Sequence, residues 1–442
     1  MRLAWPLVLA NLAQIAITTT DVLMLGWLGA KPLAASALAV NLFNIVLFSG
    51  VGLGVATAPL IAAALGARLH AVRETRRSFR MGLWLVSFYA AAGLLLLSNA
   101  ERLFHLFGQD PALSAAAGDY MNVIMWALWP ALLIAVFRTL LTAFDRTAIT
   151  LVVTLAGVAV NAGLNWLLIF GNWGAPRLEL VGSAIASLIT NLLMALTLGL
   201  VIRFSPRFRR MHLFGRLFRP DWARLKRLWV VGLPIAGSWA FEVTVFSAAV
   251  YLMGLIDTVS VAAHVIALQL ASLSFMVPMG LAQAVTIRVG LGYGAQDRAW
   301  IALAGRVAFA LTMVFMSMAA LTMWIFPREL AGLFLDESRP DSGPVLDLAV
   351  RFLFVAAIFQ LADGAQVIGA AMLRGLQDTR VPMLYAGFGY WICGLGSGAL
   401  LAFWADWRGT GVWTGLAIGL AIVAVLMLSR WARRERLGLL PA

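Results

Sequence analysis

Long stretches without a single Lys, Arg, Asp or Glu recur along this chain, and they constrain its fold more than any other feature. Residues 32–67, 147–176, 180–202 and 258–287 are four such stretches. At about 1.5 Å of rise per residue, each is long enough to cross about 30 Å of hydrocarbon as an α-helix. Only 12% of all residues are charged and 62% are apolar, which leaves too few charges for a water-soluble surface. The sequence therefore predicts an all-α, polytopic membrane protein.

Twelve apolar runs, separated by charged residues or by Gly and Pro, are predicted to be transmembrane helices. The first run continues to about residue 28 without an evident cleavage site, so we interpret it as a span and not as a cleaved signal peptide. The predicted spans cover about residues 4–28, 34–65, 80–99, 120–143, 148–171, 180–202, 228–254, 260–291, 303–326, 348–373, 381–404 and 410–430.

Basic residues are concentrated on one side of these spans. Of the 33 Lys and Arg residues, 26 lie in the termini, in the loops after even-numbered spans or at the span ends that border those loops. Because cytoplasmic loops retain basic residues, we expect both termini to be cytoplasmic and the chain to lie in a bacterial inner membrane. The net charge of +13 then follows from topology and from contact with the lipid bilayer, and it does not indicate binding to nucleic acid.

The two halves of the chain resemble each other at an offset of 228 residues. Pro6 matches Pro234, and Gly26 matches Gly254. Since six spans per half restore the same orientation, we predict a parallel repeat of two six-helix lobes related by a pseudo-two-fold axis along the membrane normal. The predicted parts are an N-terminal lobe at 1–203, a basic cytoplasmic linker at 204–227 and a C-terminal lobe at 228–442.

Three acidic residues, Asp21, Glu242 and Asp363, fall inside predicted spans. An ionised carboxylate in hydrocarbon costs a few kcal/mol, so such a group faces a cavity, pairs with another group or takes up a proton. No Lys or Arg lies near the middle of a predicted span. We therefore expect each carboxylate to bind a proton, a metal cation or a cationic substrate, the alternative being a protonated acid that only joins two helices by a hydrogen bond.

Other polar, aromatic and sulfur-containing side chains accompany the carboxylates. Asn161 and Asn165 are four residues apart on one helix face, where their amide oxygens could complete a cation shell or could serve packing alone. The single Cys393 and four scattered His residues indicate no disulfide framework and no metal site of those residue types. Large side chains that could line a site for apolar cations, or could equally face lipid or the core, are Trp126, Trp129, Trp239, Phe275, Met276, Met279, Phe359 and Trp391.

Several segments in order resemble the multidrug and toxic compound extrusion family, in its NorM-type bacterial branch. They include TTDVLMLGWLG in the first span, NAGLNWLLIFG in the fifth, FEV at 241–243 and FQLADGAQVIGAAMLRGLQDTRVP from the tenth onward. The resemblance covers essentially the whole chain. It implies a secondary antiporter of two six-helix lobes that exports cationic or lipophilic organic compounds in exchange for inward sodium ion or proton, without a cofactor and as a monomer.

The resemblance also assigns residues. It implies a cation site at Glu242 and Asp363, where sodium ion could bind, with Asn161 and Asn165 as neighbouring polar ligands. Two positions depart from the family pattern: Phe359 stands where members often carry Tyr, and Asn161 where another branch has Asp. The residues expected along the substrate or proton pathway are Asp21, Gln14 (the counterpart of Glu242 in the repeat), Phe359, Gln269 and Met276.

Two other functions compete with cation-coupled export. A flippase for a lipid or lipid-linked substrate is the alternative, although such a protein usually needs basic residues in its cavity. An intramembrane enzyme is disfavoured because Asp21, Glu242 and Asp363 lie on three different predicted helices without a neighbouring His. The sequence names neither the substrate nor the coupling ion, because carboxylate and amide oxygens suit sodium ion while carboxylates in an apolar setting suit protons.

Overall fold

The computed structural model describes residues 4–334 and 342–441. Within these ranges the chain is almost entirely helical and contains no β-strand. Five charged residues that contribute to the predicted charge distribution lie outside the described residues, namely Arg2, Asp336, Glu337, Arg339 and Asp341.

Twelve helices in the described part of the chain are long and apolar enough to cross a membrane, which confirms the predicted number and order of spans. Most begin earlier or end later than the sequence indicated, because polar residues at the ends continue the helix beyond the apolar run. The spans are α1 (Ala4–Leu28), α2 (Lys31–Ala67), α3 (Ala71–Leu97), α4 (Pro111–Ala143), α5 (Thr147–Phe170), α6 (Glu179–Phe204), α7 (Trp222–Ile256), α8 (Thr258–Gly294), α9 (Arg298–Ile325), α10 (Gly343–Gly375), α11 (Arg380–Trp404) and α12 (Arg408–Ala432).

Three of the spans are not continuous α-helices. In α2 the helix breaks at Ala56, and in α4 a 3-10 turn at Met125–Ala127 joins two α-helical parts. Helix α11 contains two π-helical segments, Phe388–Leu395 and Leu400–Trp404. Such widened turns occur often at functional sites, and nothing in the sequence predicted them. The short helices outside the spans are Ala100–Leu106, Asn172–Gly174, Pro206–Arg209 and Pro327–Gly332.

The chain forms two compact units, Met1–Ala236 and Gly237–Ala442. Their boundary lies inside α7, nine residues after the predicted lobe boundary at residue 228, so the first turns of this span pack with the first unit. Corresponding helix pairs pack together in each unit: α2 with α4 and α8 with α10, α4 with α6 and α10 with α12, α5 with α6 and α11 with α12.

The segment between α6 and α7 is anchored to the first unit by ion pairs. Arg77 on α3 donates to both carboxylate oxygens of Asp221 at 2.5 and 3.2 Å and to Glu74 at 2.9 Å, and Arg224 pairs with Glu74. The hydrogen bond from Arg77 lowers the pKa of Asp221 below its ordinary value, because it stabilises the ionised carboxylate. The predicted basic linker is thus held against α3 over part of its length.

Helices α11 and α12 approach each other closely at glycines. A Cβ added to Gly415 on α12 would lie 2.2 Å from the Cα of Gly398 on α11, and one added to Gly419 would lie 2.6 Å from the carbonyl oxygen of Gly389. Only residues without a side chain permit such contact between backbones. This contact fixes the π-helical part of α11, which carries Tyr390, against the rest of the second unit.

Candidate functional site

Asp21 on α1 is the centre of a polar cluster in the first unit. Its Oδ1 accepts hydrogen bonds from the Nδ2 atoms of Asn161 at 3.1 Å and Asn165 at 2.6 Å. Its Oδ2 accepts a hydrogen bond from the Ser187 hydroxyl at 2.7 Å. Asn165 Nδ2 also donates to Asn161 Oδ1 at 3.1 Å, so the four side chains form one network.

Helix packing brings these four side chains together. Asn161 and Asn165 are one turn apart on α5 and fully buried, and α5 packs against both α1 and α6. Ser187 lies on the face of α6 that also carries the small residues Ser183 and Ala184. Small residues let membrane helices approach closely enough for short polar side chains to meet.

The Asp21 cluster is suited to an ionised carboxylate. Three donors from amide and hydroxyl groups reach its two oxygens, and such donors stabilise the ionised form of a carboxylate. Asn165 Oδ1 is buried and accepts no hydrogen bond from the described residues, which leaves one amide oxygen beside the carboxylate. A hard cation prefers ligands of this kind.

The structure places the two amides of α5 beside Asp21. Asn161 and Asn165 hydrogen-bond to Asp21 in the first unit, and their role as cation ligands together with Glu242 and Asp363 stays a prediction. The periodicity of α5 correctly placed the two amides on one face, but it carries no information about which helix that face meets.

A second polar cluster lies in the other unit, around Asp363 on α10. Asp363 is 6% exposed, and its Oδ1 accepts a hydrogen bond from Gln366 Nε2 at 3.3 Å. Gln366 Oε1 in turn accepts one from the Tyr390 hydroxyl at 2.9 Å. All three side chains are buried, and Tyr390 is supplied by the π-helical segment of α11. A relay of hydrogen bonds therefore links Asp363 to a phenol.

Glu242 on α7 is the other acidic residue of this cluster. It interacts electrostatically with Asp363 and also with Arg374, the basic residue in the last turn of α10. The Arg374 guanidinium lies 5.9 Å from the centre of the Trp239 ring, one turn before Glu242 on α7. The expectation that no fixed cation reaches the buried carboxylates is thus wrong for Glu242: Arg374 starts from a helix end, and its long side chain extends inward.

The residues predicted to line a pathway have varied environments. Gln14, Gln269 and Met276 are half-buried, and their assignment to a pathway stays a prediction. Phe359 is 1% exposed and packs edge-on against Trp413 and near Phe246, so it lies in the core of the second unit.

The predicted aromatic residues of α4 are largely exposed. Trp126 is 55% exposed, and Trp129 is 47% exposed and donates its indole N–H to Ser87. Exposed Trp residues on membrane helices often lie at the lipid interface, which is the simpler of the two interpretations left open by the sequence.

Four residues of the two clusters were missed by sequence reasoning. Gln366 could have been found, because it lies one turn after Asp363 on the same helix face. Arg374 is one of the 26 basic residues on the predicted cytoplasmic side, which the sequence explains by topology alone. Ser187 and Tyr390 come from neighbouring helices and have no distinctive spacing, so only the tertiary structure identifies them.

In the described part of the chain, no group of three or more His, Cys, Asp or Glu side chains could hold a metal ion. The carboxylates are instead surrounded by amides, hydroxyls and a guanidinium.

Comparison with known proteins matches the MatE family model twice, at residues 6–167 and 234–400. The two matches begin 228 residues apart, the offset found between the halves of the sequence. A protein of Mesorhizobium japonicum called "Probable multidrug resistance protein NorM" is 47% identical, with 99% of this chain and 94% of that protein covered. The "Multidrug resistance protein NorM" of Burkholderia vietnamiensis is 38% identical over 97% of this chain and 92% of its own length.

Solved structures support the same fold. A structure described as the outward-facing conformation of a multidrug resistance MATE family transporter of the MOP superfamily superposes with a TM-score of 0.89 at 21% identity, covering 100% of this chain and 96% of that one. The eukaryotic MATE transporter AtDTX14 gives a TM-score of 0.87 at 21% identity, covering 99% and 98%. By sequence family and by fold, this chain belongs to the multidrug and toxic compound extrusion family and is a multi-pass membrane transporter, not an enzyme.

Proposed function

We propose that this transporter exports lipophilic organic cations in exchange for inward sodium ion or proton, by alternating access between its two lobes. The names of its relatives support multidrug efflux as the biological activity. The distribution of Lys and Arg, together with the bacterial relatives, supports an inner membrane location with cytoplasmic termini.

One observation carries the coupling mechanism. Glu242 and Asp363 lie on transmembrane helices of one unit and interact electrostatically with each other, and among the described residues Arg374, whose guanidinium lies beside Trp239, acts on Glu242. Two ionised carboxylates beside one guanidinium leave a net negative charge, which is costly in a membrane protein until a cation binds. A proton, a sodium ion and a cationic substrate all neutralise that charge, so their binding is mutually exclusive, as exchange requires.

The Asp21 cluster supports a second place for a cation in the first unit. Asp21 is held by three donors, and the free oxygen of Asn165 lies in the same network. We assign this cluster to substrate passage or to a secondary proton or ion site, while the principal coupling site is at Glu242 and Asp363.

Neutral variants of the coupling carboxylates test this function. Everted membrane vesicles would be loaded by transport of a fluorescent lipophilic cation, comparing wild type with Glu242→Gln, Asp363→Asn and the exposed control Glu101→Gln. We expect both site variants to lose most of the ion-driven accumulation, because the charge that the coupling ion neutralises is reduced, and the control to transport like wild type.

Normal pumping by the two site variants would contradict the proposal. A parallel assay with a fluorescent phospholipid in reconstituted liposomes tests the flippase alternative. Headgroup transfer in the absence of cation export would favour that alternative.

A further inference from the structure

The buried end of α10 carries a charge that ion coupling as proposed above does not require. Arg374 is the last-turn basic residue of α10, yet its guanidinium lies over the ring of Trp239 on α7 and interacts electrostatically with Glu242. A guanidinium stays protonated at all physiological pH values. It is therefore a permanent cation within range of the carboxylate to which a transported cation is expected to bind.

Helix geometry explains why this charge is directed at Glu242. Side chains on a helix lean toward its N-terminus, and α7 and α10 run in opposite directions because one is an odd and the other an even span. Arg374 therefore leans from the end of α10 toward the level of Asp363, while Glu242 leans back toward Trp239. Trp239 and Glu242 are three residues apart, on one face of α7.

The charged and titratable groups that act on Glu242 can be named from each neighbouring helix. They are Arg374 and Asp363 from α10 and Tyr390 from α11. Only Arg374 among them is a cation, and its electrostatic partner is Glu242 rather than Asp363. A cation that binds at Glu242 therefore competes with Arg374 for the negative charge of this carboxylate.

The other half of the chain provides a natural comparison. Arg138 on α4 donates from its guanidinium to Asn11 Oδ1 on α1 at 2.8 Å. At the offset of 228 residues, Asn11 corresponds to Trp239 and Gln14 to Glu242. An arginine from the fourth helix thus reaches the equivalent turn of the first helix in each unit, although the two arginines are not counterparts in the repeat. In the first unit the turn it reaches carries Gln14, and in the second it carries Glu242.

We propose that Arg374 is a tethered cation that competes with the coupling ion for Glu242, and so keeps ion affinity low enough for release. When no ion is bound, the Arg374 guanidinium balances the negative charge of Glu242. When an ion binds, the ion balances that charge instead, and Arg374 interacts less strongly with Glu242. Arg374 acts through Glu242 and is therefore a positioning residue. The proposal rests on the coupling proposed above at Glu242.

Removing the tethered charge tests the proposal. In reconstituted liposomes, the NaCl concentration and, separately, the pH gradient that give half-maximal efflux of tetraphenylphosphonium would be measured for wild type, Arg374→Gln and Arg374→Lys. Ion-induced release of bound tetraphenylphosphonium from the purified protein gives a second readout that does not depend on turnover. We expect Arg374→Gln to need about tenfold less coupling ion in both assays, the order of effect of one opposite charge nearby.

Charge-preserving and first-unit variants make the effect specific. Arg374→Lys is expected to stay close to wild type. Arg138→Gln, which removes the arginine that reaches the corresponding turn of the first helix in the first unit, is expected to leave the ion dependence unchanged. An unchanged ion dependence in Arg374→Gln, or an equal shift in Arg138→Gln, would overturn the proposal.

The double variant Arg374→Gln, Glu242→Gln separates folding and coupling. If the Arg374→Gln protein is not recovered in the membrane, normal amounts of the double variant support the pairing, because removing both charges leaves no unpaired acid. Equally low amounts of the double variant contradict the pairing. The two proposals are refuted by different results. Normal transport by Glu242→Gln refutes coupling at Glu242. Loss of transport in Glu242→Gln, together with a wild-type ion dependence in Arg374→Gln, refutes only the competition.

Discussion

At the scale of single residues, the two carboxylate clusters are held in different ways. Asp21 receives hydrogen bonds from two amides and a hydroxyl, while Glu242 faces an arginine and another acid. Hydrogen-bond donors stabilise an ionised carboxylate without balancing its charge, whereas a nearby guanidinium supplies a full positive charge. A cation that binds Asp21 therefore has to compete with neutral hydrogen-bond donors, whereas a cation that binds Glu242 has to compete with a positive charge.

Tyr390 is expected to affect coupling through Gln366. In Tyr390→Phe the hydroxyl that holds Gln366 is lost, so the amide no longer points firmly at Asp363. The amide N–H stabilises the ionised form of Asp363, so losing it raises the affinity of Asp363 for a cation. One buried hydrogen bond contributes about 1 kcal/mol, so the coupling-ion concentration for half-maximal efflux should fall about fivefold, while efflux at saturating ion changes less.

Tyr89 on α3 provides the matched control for this variant. Its hydroxyl donates to the carbonyl oxygen of Val46 at 2.8 Å in the first unit. Tyr89→Phe removes a comparable hydrogen bond and should leave the ion dependence unchanged. A similar shift in both variants would show that the effect of Tyr390 is only structural.

At the scale of helices, α11 departs most from regular geometry and packs most closely. Its π-helical segments carry Tyr390, and its glycines lie against the glycines of α12. Because backbones touch there, α11 has little freedom to shift relative to α12. The position of Tyr390 thus depends on Gly398, more than two turns further along α11, and on the contact of Gly398 with Gly415 of α12.

A methyl group at this contact is expected to destabilise the second unit. In Gly415→Ala the added Cβ would lie 2.2 Å from the Cα of Gly398, and a backbone cannot give way as a side chain can. We expect a loss of about 2 kcal/mol in the free energy of unfolding, as for other overpacked sites. Thermal unfolding of the detergent-purified protein measures it.

Gly396→Ala is the control on the same pair of helices. The nearest atom to its added Cβ is 3.9 Å away, an ordinary contact. We expect this variant to unfold at or slightly above the wild-type temperature, since Ala favours helix over Gly. Equal stability of Gly415→Ala and wild type would show that α11 and α12 are not in close contact.

The limits of prediction also show most clearly at the helix scale. Charge-free runs fixed the number of spans, and one-turn spacing correctly placed Asn161 and Asn165 on one face. That spacing did not indicate Asp21 as the partner of this face, because neighbours among helices are decided by packing between distant parts of the chain. The π-helical turns of α11 and the inward reach of Arg374 likewise depend on tertiary contacts that no local pattern encodes.

At the scale of the whole molecule, a repeated architecture carries unlike chemistry. The family model matches both halves, and corresponding helix pairs pack in both units. Yet Gln14 stands where the second half has Glu242, and Asn11 where it has Trp239. The repeat therefore preserves the helix arrangement, while the acidic residues and the arginines of the fourth helix were placed separately in each half: at the same offset Arg138 corresponds to Gln366.

The central claim is that cation binding at Glu242 and Asp363 drives export. The most direct measurement is efflux of tetraphenylphosphonium from liposomes containing the purified protein, under a sodium gradient alone and then under a proton gradient alone, for wild type and Glu242→Gln. Our account predicts that at least one gradient accelerates efflux by wild type and that Glu242→Gln loses this acceleration. Efflux by wild type that neither gradient accelerates, or full acceleration in Glu242→Gln, would contradict it.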